Sequence, residues 1–186
     1  YAYSSPNLSF ICVEESQIEN MINQLTGIGI TNVQVNAYCN FTPGGIYNTI
    51  TGTHTFDFNN NGCDALDQPT PILKININDG TNSGSTFSNV SGQYNFYTNT
   101  GSFVITPITE NPYFDISPTS ATVNFAALNG TTQTQNFCIT PVGIHYDVEI
   151  ALIPILVARP GFDAIYKLVY KNKGNQNKFF HFFIWV

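Results

Sequence analysis

Short alternating strands separated by glycine-containing turns run through the middle of the chain and limit what it can fold into. In PILKININ (71–78) apolar and polar residues alternate, and the turn DGTNSGS follows directly. The pattern continues in QYNFYT and SFVITPI around NTG, and in TVNFAAL and TQNFCITP around NGTT. Strands spaced by about 8–12 residues with Asn-Gly and Asp-Gly turns indicate an antiparallel β-sandwich. The sequence therefore predicts a mostly β fold.

Charged residues are scarce, and this limits the partners that the chain can have. They make up 10% of the chain, against about 25% in an average protein. Six Lys and Arg face twelve Asp and Glu, whereas nucleic-acid binding needs clustered cations. No apolar run reaches the ~20 residues that span a bilayer. We therefore expect no nucleic-acid partner and no membrane insertion.

The first 39 residues are the only part with a helical pattern. EESQIENMINQL (14–25) places four apolar residues on one helical face, namely Ile18, Met21, Ile22 and Leu25. The strand-like stretches SPNLSFICV and NVQVNAYC precede and follow it. Such a β-α-β unit cannot bury an apolar face alone, so we expect it to be the end of a larger repeat array.

Two breaks divide the chain into three predicted segments, 1–39, 40–142 and 143–186. CNFTPGG (39–45) supplies the first break and TPVGIHYD (140–147) the second. The last segment has only about three strands, which is too few for an independent sandwich. The apolar end KFFHFFIWV (178–186) follows a sharp change of composition after Gln176. Residues 177–186 are therefore either the end of a native module or the result of a truncation or frameshift.

Oxygen-bearing side chains recur at alternate positions of DFNNNGCDALD (57–67), around a glycine. Calcium takes about six to eight oxygen ligands, commonly from alternate positions of a tight loop. An EF-hand needs an acid at loop position 12, where this chain has Gln68. A shorter loop still leaves an acid able to complete the shell. The predicted ligands of a structural Ca²⁺ are Asp57, Asn59, Asn61, the Cys63 carbonyl group, Asp64 and Asp67.

A polar turn is the alternative interpretation of the same loop. Asn and Asp side chains bond to nearby backbone groups in turns and favour such a loop without any metal. Because two Asn residues stand where a calcium sensor has acids, we expect modest calcium affinity if the ion binds.

The four cysteines have no CxxC spacing, which argues against a zinc or thioredoxin-like site. An even number of scattered cysteines in such a chain is typical of an oxidising, extracellular setting. Cys12 and Cys39 bracket the helical segment, and Cys63 and Cys138 lie near the two ends of the predicted sandwich. We favour these two pairings among the three possible connectivities, with buried free thiols as the alternative.

The stretch from Gly52 to Thr98 resembles a known family of β-sandwich repeats. It is similar to the B-type repeats of bacterial surface adhesins (SdrD B-like or Cna-B-like). The matching features are a glycine, a D-x-N-x-N-G loop followed by acids, and a G-x-Y-x-F strand, found here at Gly52, Asp57 to Gly62, Asp64, Asp67, Gly92, Tyr94 and Phe96. Residues 5–25 and YCNFTPGG resemble the last repeat and cap of a leucine-rich-repeat domain. ARPGFDAIYKLVYKNKGN resembles the start of an Ig-like repeat.

The resemblance implies both a fold and a function. Modules in this order occur in large surface proteins that Bacteroidota-type bacteria secrete by the type IX system. It implies an Ig-like or prealbumin-like sandwich with a short N-terminal β-α-β cap, flanked by further domains. The implied function is a calcium-stiffened, non-enzymatic stalk at the cell surface, whose extracellular protein or glycan ligand is unknown. The alternatives are a carbohydrate- or protein-binding module and an accessory domain of a secreted hydrolase.

No catalytic motif accompanies these features. G-x-S-x-G, H-E-x-x-H and P-loop patterns are missing from the sequence. The histidines His54, His145 and His181 are far apart in the sequence, so we expect ordinary strand or surface histidines. Tyr94, Phe96 and Phe103 have strand spacing, which favours a place in the core over a carbohydrate platform.

Overall fold

The computed structural model describes residues 8–157 and 159–176. It contains one α-helix, α1 (Ile18–Gly27), preceded by a 3-10 turn (Glu15–Gln17). The strands are β1 (Phe10–Cys12), β2 (Gln34–Asn36), β3 (Asn48–Phe56), β4 (Gln68–Pro69), β5 (Lys74–Asn78), β6 (Ser83–Phe87), β7 (Gln93–Thr98), β8 (Gly101–Ile108), β9 (Phe114–Ser117), β10 (Ala121–Phe125), β11 (Thr132–Thr134), β12 (Phe137–Pro141), β13 (Val148–Pro154) and β14 (Tyr166–Asn172). Among the described residues, no helix is long and apolar enough to cross a membrane.

Two sheets form the predicted β-sandwich. One has the strand order β10-β8-β5-β6, and all its pairings are antiparallel. The other has the order β11-β3-β12-β9, with β4 and β7 also paired to β3. Strands β11 and β12 run parallel to β3, whereas β4 and β7 run antiparallel to it. The prediction of a mostly β, largely antiparallel sandwich is confirmed.

Alternating side chains from both sheets build one core between them. In β3 every second residue from Asn48 to His54 is buried, and in β5 and β8 the same alternation holds. This is the period of two that a pleated strand imposes on side chains. The buried cluster contains Tyr38, Ile50, Ile75, Ile77, Tyr94, Phe96, Phe103, Ile105, Val123, Phe125 and Phe137.

The N-terminal β-α-β segment packs on the edge of this sandwich. Strands β1 and β2 pair in parallel, as expected when a helix connects them. Ile18 and Leu25 of α1 are buried with Val35 of β2, and Phe87 of β6 packs against them. The hydroxyl group of Thr86 also donates to the Val35 carbonyl group at 2.8 Å. The segment therefore shares its apolar face with the sandwich.

The described residues separate into two compact units. The first comprises the chain up to Glu110 together with Asp115–Thr140, and the second comprises Asn111–Phe114 together with the chain from Pro141 onward. The first unit thus contains residues from two of the three predicted segments. The three-segment division concerns modules of the parent protein and stays a prediction.

The second unit contains the antiparallel hairpin β13–β14. Its register pairs Ile150 with Tyr170 and Leu152 with Leu168, so these side chains share one face. All four are exposed. The predicted end segment 177–186 lies outside the described residues.

Candidate functional site

The predicted calcium loop begins where β3 ends and folds around the side chain of Asp57. Asp57 is only 2% exposed. Oδ2 accepts a hydrogen bond from the Gly62 N–H at 2.8 Å, and Oδ1 accepts one from the Asn61 N–H at 3.1 Å. Asn60 and Gly62 have φ values of 60° and 95°, the left-handed region that Asn and Gly tolerate best. Residues 57–62 therefore form a tight turn closed by the Asp57 carboxylate.

A second turn follows around Asp64 and Asp67. Oδ2 of Asp67 accepts from the Asp64 N–H at 2.9 Å, and Oδ1 of Asp64 accepts from the Leu66 N–H at 2.7 Å. The other oxygen of Asp67, Oδ1, is buried and has no hydrogen-bond partner among the described residues. Most carboxylate oxygens of the loop are thus occupied by its own backbone.

Two long-range links fix the loop to β12. Cys63 and Cys138 form a disulfide bond, and the Asp57 N–H donates to the Ile139 carbonyl group at 2.9 Å. Cys12 and Cys39 form the second disulfide, at the N-terminal segment. These are the two pairings favoured from the sequence, and the alternative of free thiols does not apply to them.

The predicted acidic ligands of the calcium ion lie in two separate turns. The described residues contain no group of three or more His, Cys, Asp and Glu side chains close enough to hold one metal ion. The Asp57 carboxylate and the Asp64–Asp67 pair are each bonded to different backbone N–H groups. The geometry of the loop is that of the polar turn, and calcium binding stays a prediction.

Replacing Asp57 by alanine is expected to lower the free energy of unfolding by about 1–3 kcal/mol, because the Gly62 N–H loses its acceptor and the Asn61 N–H keeps only Oδ1 of Asn59. Urea denaturation measures the difference. Asp115→Ala on β9 is the matched control, since Asp115 is exposed. A loss no larger than that of the control would contradict the structural role of the Asp57 carboxylate.

Melting with and without EDTA separates the two interpretations of the loop. If the loop holds a structural Ca²⁺, EDTA should lower the Tm of the wild type but should not change the Tm of the Asp57→Ala variant. A polar turn without metal predicts that EDTA has no effect on either protein. If EDTA does not change the Tm of protein that was first saturated with calcium, the prediction of a metal site in this loop is wrong.

His54, three residues before the loop, is buried within the core. Its side chain is fully buried, and neither ring nitrogen has a hydrogen-bond partner among the described residues. The ring stacks on Tyr94 with centroids 5.1 Å apart, and Phe137 lies 5.8 Å away. Burial penalises the charged imidazolium and lowers the pKa of His54 to about 4. His54 is therefore a neutral core residue, as expected for a strand histidine.

Acidification from about pH 7 to about pH 4 is expected to remove about 3 kcal/mol of stability through His54. In the unfolded chain the imidazole has its ordinary pKa of 6.5, and in the folded chain its pKa is about 4. The unfolded state therefore binds the proton first, and stability falls as the pH falls between these two values. Each pKa unit corresponds to about 1.4 kcal/mol. Urea denaturation at several pH values measures the slope.

His54→Phe is the control for this pH dependence, because it keeps an aromatic ring and removes the titrating group. Its stability should depend less on pH than that of the wild type across the same window. Parallel pH profiles for the two proteins would show that His54 does not carry the effect.

The remaining aromatic and histidine candidates are structural. Tyr94, Phe96 and Phe103 are at most 2% exposed and lie in the core, as predicted. In the second unit, His145 stacks on Tyr113 with ring centroids 4.1 Å apart. His181 lies outside the described residues.

Sequence reasoning missed one group of aromatic side chains near the Cys12–Cys39 disulfide. Phe10, Phe41, Tyr47 and Tyr97 contact one another there and are only partly buried. No motif joins them, because they come from separate parts of the chain. The only available signal was that Phe10 and Phe41 each stand two residues from a bridged cysteine.

Comparison with known protein families and with curated proteins finds no match. Among solved structures, the chain is similar to the minor pilin GBS52 of Streptococcus agalactiae, with 12% identity, 53% of this chain and 47% of that chain covered, and a TM-score of 0.38. It is similar to a streptococcal ancillary pilin, with 5% identity, coverage of 69% and 50%, and a TM-score of 0.39. It is also similar to a DUF3823 family protein of Parabacteroides merdae, with 16% identity, coverage of 69% and 59%, and a TM-score of 0.36. The match spans less than two thirds of each of these three proteins, and likeness at this level does not identify a family.

Proposed function

We propose that the chain is a non-enzymatic structural module of a protein secreted to the bacterial cell surface. The observation that carries the proposal is the pair of disulfides, which close loops with sequence separations of 27 and 75. Disulfides form and persist in oxidising compartments outside the cytosol. Scarce charge and a composition rich in Asn, Thr and Ser support the same setting.

Thiol titration after export tests the compartment. The chain is produced once with a secretory signal and once without, and both products are denatured in the absence of reductant. The exported protein should have no reactive thiols, and the cytosolic one should have reactive thiols that disappear on oxidative refolding. Reactive thiols in the folded, exported protein would contradict the proposal.

The mechanical role follows from how the first unit is closed. A chain pulled from its two ends cannot extend the residues between Cys63 and Cys138 while the bridge is intact. The 75-residue separation corresponds to about 250 Å of extended chain. In a spacer with such a bridge, the segment between Cys63 and Cys138 does not extend even when the hydrogen bonds and packing contacts between its strands break.

Single-molecule pulling tests this role. Unfolding of the oxidised protein should release about 340 Å less chain than unfolding of the reduced protein, because reduction opens both the 75-residue and the 27-residue separation. Without reductant, the Cys63→Ala/Cys138→Ala variant should release about 250 Å more chain than the oxidised wild type, since only the Cys12–Cys39 bridge remains. Release of the full length by the oxidised wild type would contradict the spacer role.

The finer form of the proposal places the module in an adhesin-like protein that uses type IX secretion, between leucine-rich repeats and Ig-like modules. It is supported by the resemblance of residues 52–98 and by the parallel β1–β2 pair joined through α1. The sequence of the whole gene tests it directly. A catalytic domain in the same gene would instead favour an accessory domain of a secreted hydrolase.

A further inference from the structure

An open pocket of about 380 Å³ lies beside the Cys12–Cys39 disulfide in the first unit. Phe10 of β1 and Tyr97 of β7 line it together with Phe41 and Tyr47, which lie between β2 and β3. Ring centroids are 4.5 Å apart for Tyr47 and Tyr97, and 4.7 Å apart for Phe10 and Phe41. Pockets that hold small ligands have volumes of about 300–1,000 Å³ and mostly apolar or aromatic walls.

The tyrosine hydroxyl groups of the pocket differ from those of the core. In the core, Tyr38 donates to Asp79 at 2.8 Å and Tyr94 donates to the Gln135 carbonyl group at 2.6 Å. The hydroxyl groups of Tyr47 and Tyr97 form no hydrogen bond with the described residues. Burial, and then the neighbouring Tyr47, raise the pKa of Tyr97 above its ordinary value, so its hydroxyl stays protonated near neutral pH. A tyrosine hydroxyl group is able both to donate and to accept a hydrogen bond.

The pocket contains no charged side chain among the described residues that line it. Besides the four aromatic residues and the disulfide, Leu8, Ser9, Pro43 and Gly44 line it. A charged ligand would lose its hydration there without gaining a counter-charge. A purely aliphatic ligand would cover the two free hydroxyl groups and leave them unpaired, which also costs free energy. The lining fits a neutral ligand that has both apolar faces and hydroxyl groups.

The walls of the pocket are held in place before any ligand arrives. The disulfide joins β1 to the segment that carries Phe41. Within that segment the Gly45 N–H donates to the Thr42 carbonyl group at 3.0 Å. The side chain of Asn99, just after β7, donates to the Asn40 carbonyl group at 3.0 Å. A preformed site avoids part of the ordering cost of binding.

We propose that this pocket binds a ring of a neutral sugar, as part of an extracellular glycan. The C–H face of the ring packs on the aromatic side chains, and its hydroxyl groups exchange hydrogen bonds with those of Tyr47 and Tyr97. Sugar hydroxyls both donate and accept, as tyrosine hydroxyls do. A proline-rich peptide also packs on aromatic grooves, but its carbonyl groups only accept. The site goes beyond the spacer role and does not depend on it.

Calorimetric titration of the oxidised chain tests the site with defined neutral probes: cellotetraose, maltotetraose, mannotetraose and triacetylchitotriose. We expect at least one to bind with a Kd of about 1 mM or lower, equivalent to about −4 kcal/mol. Tri-galacturonic acid, choline and hexaproline serve as anionic, cationic and peptide comparisons. Aromatic ring signals in NMR spectra report whether the probe contacts the pocket.

Paired variants connect binding to the pocket. Tyr47→Phe/Tyr97→Phe keeps the rings and removes the hydroxyl groups, and it should weaken binding at least about tenfold, or about 1.4 kcal/mol. Phe58→Ala removes an aromatic side chain that is 58% exposed and lies outside the pocket, and it should leave the Kd unchanged. Circular dichroism checks that both variants fold.

Three outcomes would overturn the proposal. They are no binding of any neutral oligosaccharide, binding that the double Tyr→Phe variant retains in full, and preferential binding of choline, hexaproline or the anionic probe. Because the disulfides remain intact in all these variants, failure here would leave the spacer proposal untouched.

Discussion

Replacing Cys63 and Cys138 together by alanine should lower the free energy of unfolding by about 4.5 kcal/mol. The bridge has a sequence separation of 75, and closing so long a loop removes much conformational freedom from the unfolded chain. The same change also releases the 57–67 loop from β12, where only backbone contacts such as Asp57 N–H to Ile139 would remain. Urea denaturation of the oxidised wild type and the variant measures the difference.

Cys12→Ala/Cys39→Ala is the matched control for loop length. Its separation of 27 predicts a smaller loss, about 3.5 kcal/mol, in the same chain-entropy description. The order of the two losses tests whether loop length governs the effect. A larger loss for the shorter loop would show that native contacts around Cys12 and Cys39 dominate instead.

Gly52→Ala is expected to cost more than about 4 kcal/mol, a size that marks a specific packing failure. Gly52 lies in the middle of β3, and a Cβ there would overlap the Gln135 carbonyl oxygen and lie 2.7 Å from its carbon. The Tyr94 hydroxyl donates to that same oxygen at 2.6 Å. The added methyl group must therefore displace backbone next to β11 and β12 and break a buried hydrogen bond.

Gly27→Ala is the matched control for this substitution. Gly27 ends α1, and a Cβ there would meet nothing within 4 Å. Since alanine favours helix by up to about 1 kcal/mol over glycine, this variant should be as stable as the wild type or more so. A tolerated Gly52→Ala, with a loss below about 1 kcal/mol, would contradict the close backbone approach at β3.

Local patterns predicted most of the sandwich. The alternation in 71–78 became β5, and its buried residues Ile75 and Ile77 face the core. The helical spacing from Ile18 to Leu25 became α1, with those two residues buried. In both cases the period of the apolar residues determines which face is buried, and that information is local to the sequence.

The path of the final strands was not predictable in the same way. Nothing within TQNFCITP indicates that β12 runs parallel to β3, since the DG and NG turns suggested only antiparallel neighbours. Strand β11 pairs Thr132 with Thr49, and β12 pairs Phe137 with His54. Each of these pairs is separated in sequence by more than half of the first unit's chain length. Such a partner is selected by packing of the whole core rather than by local sequence.

The candidate sites also combine features that the local sequence predicts with features that only the folded structure determines. Alternating oxygen atoms in 57–67 predict either calcium ligands or hydrogen-bond acceptors, because both uses need the same side chains. Only the positions of the Asn61 and Gly62 N–H groups reveal that the Asp57 carboxylate accepts from the backbone. The aromatic residues of the pocket are separated by up to 87 positions, from Phe10 to Tyr97, and no short sequence window contains them.

The parallel neighbours of β3 have a consequence for biosynthesis. One edge of β3 can pair with β4 and β7 as soon as those strands have been synthesised. Its other edge is covered only after β11 and β12 have been synthesised, because Thr49 pairs with Thr132 and Phe56 with Ile139. Contacts of such long sequence separation form late and slowly. Until β11 and β12 have been synthesised, that edge of β3 has no native partner, and the Cys63–Cys138 bridge likewise cannot form before synthesis has reached Cys138.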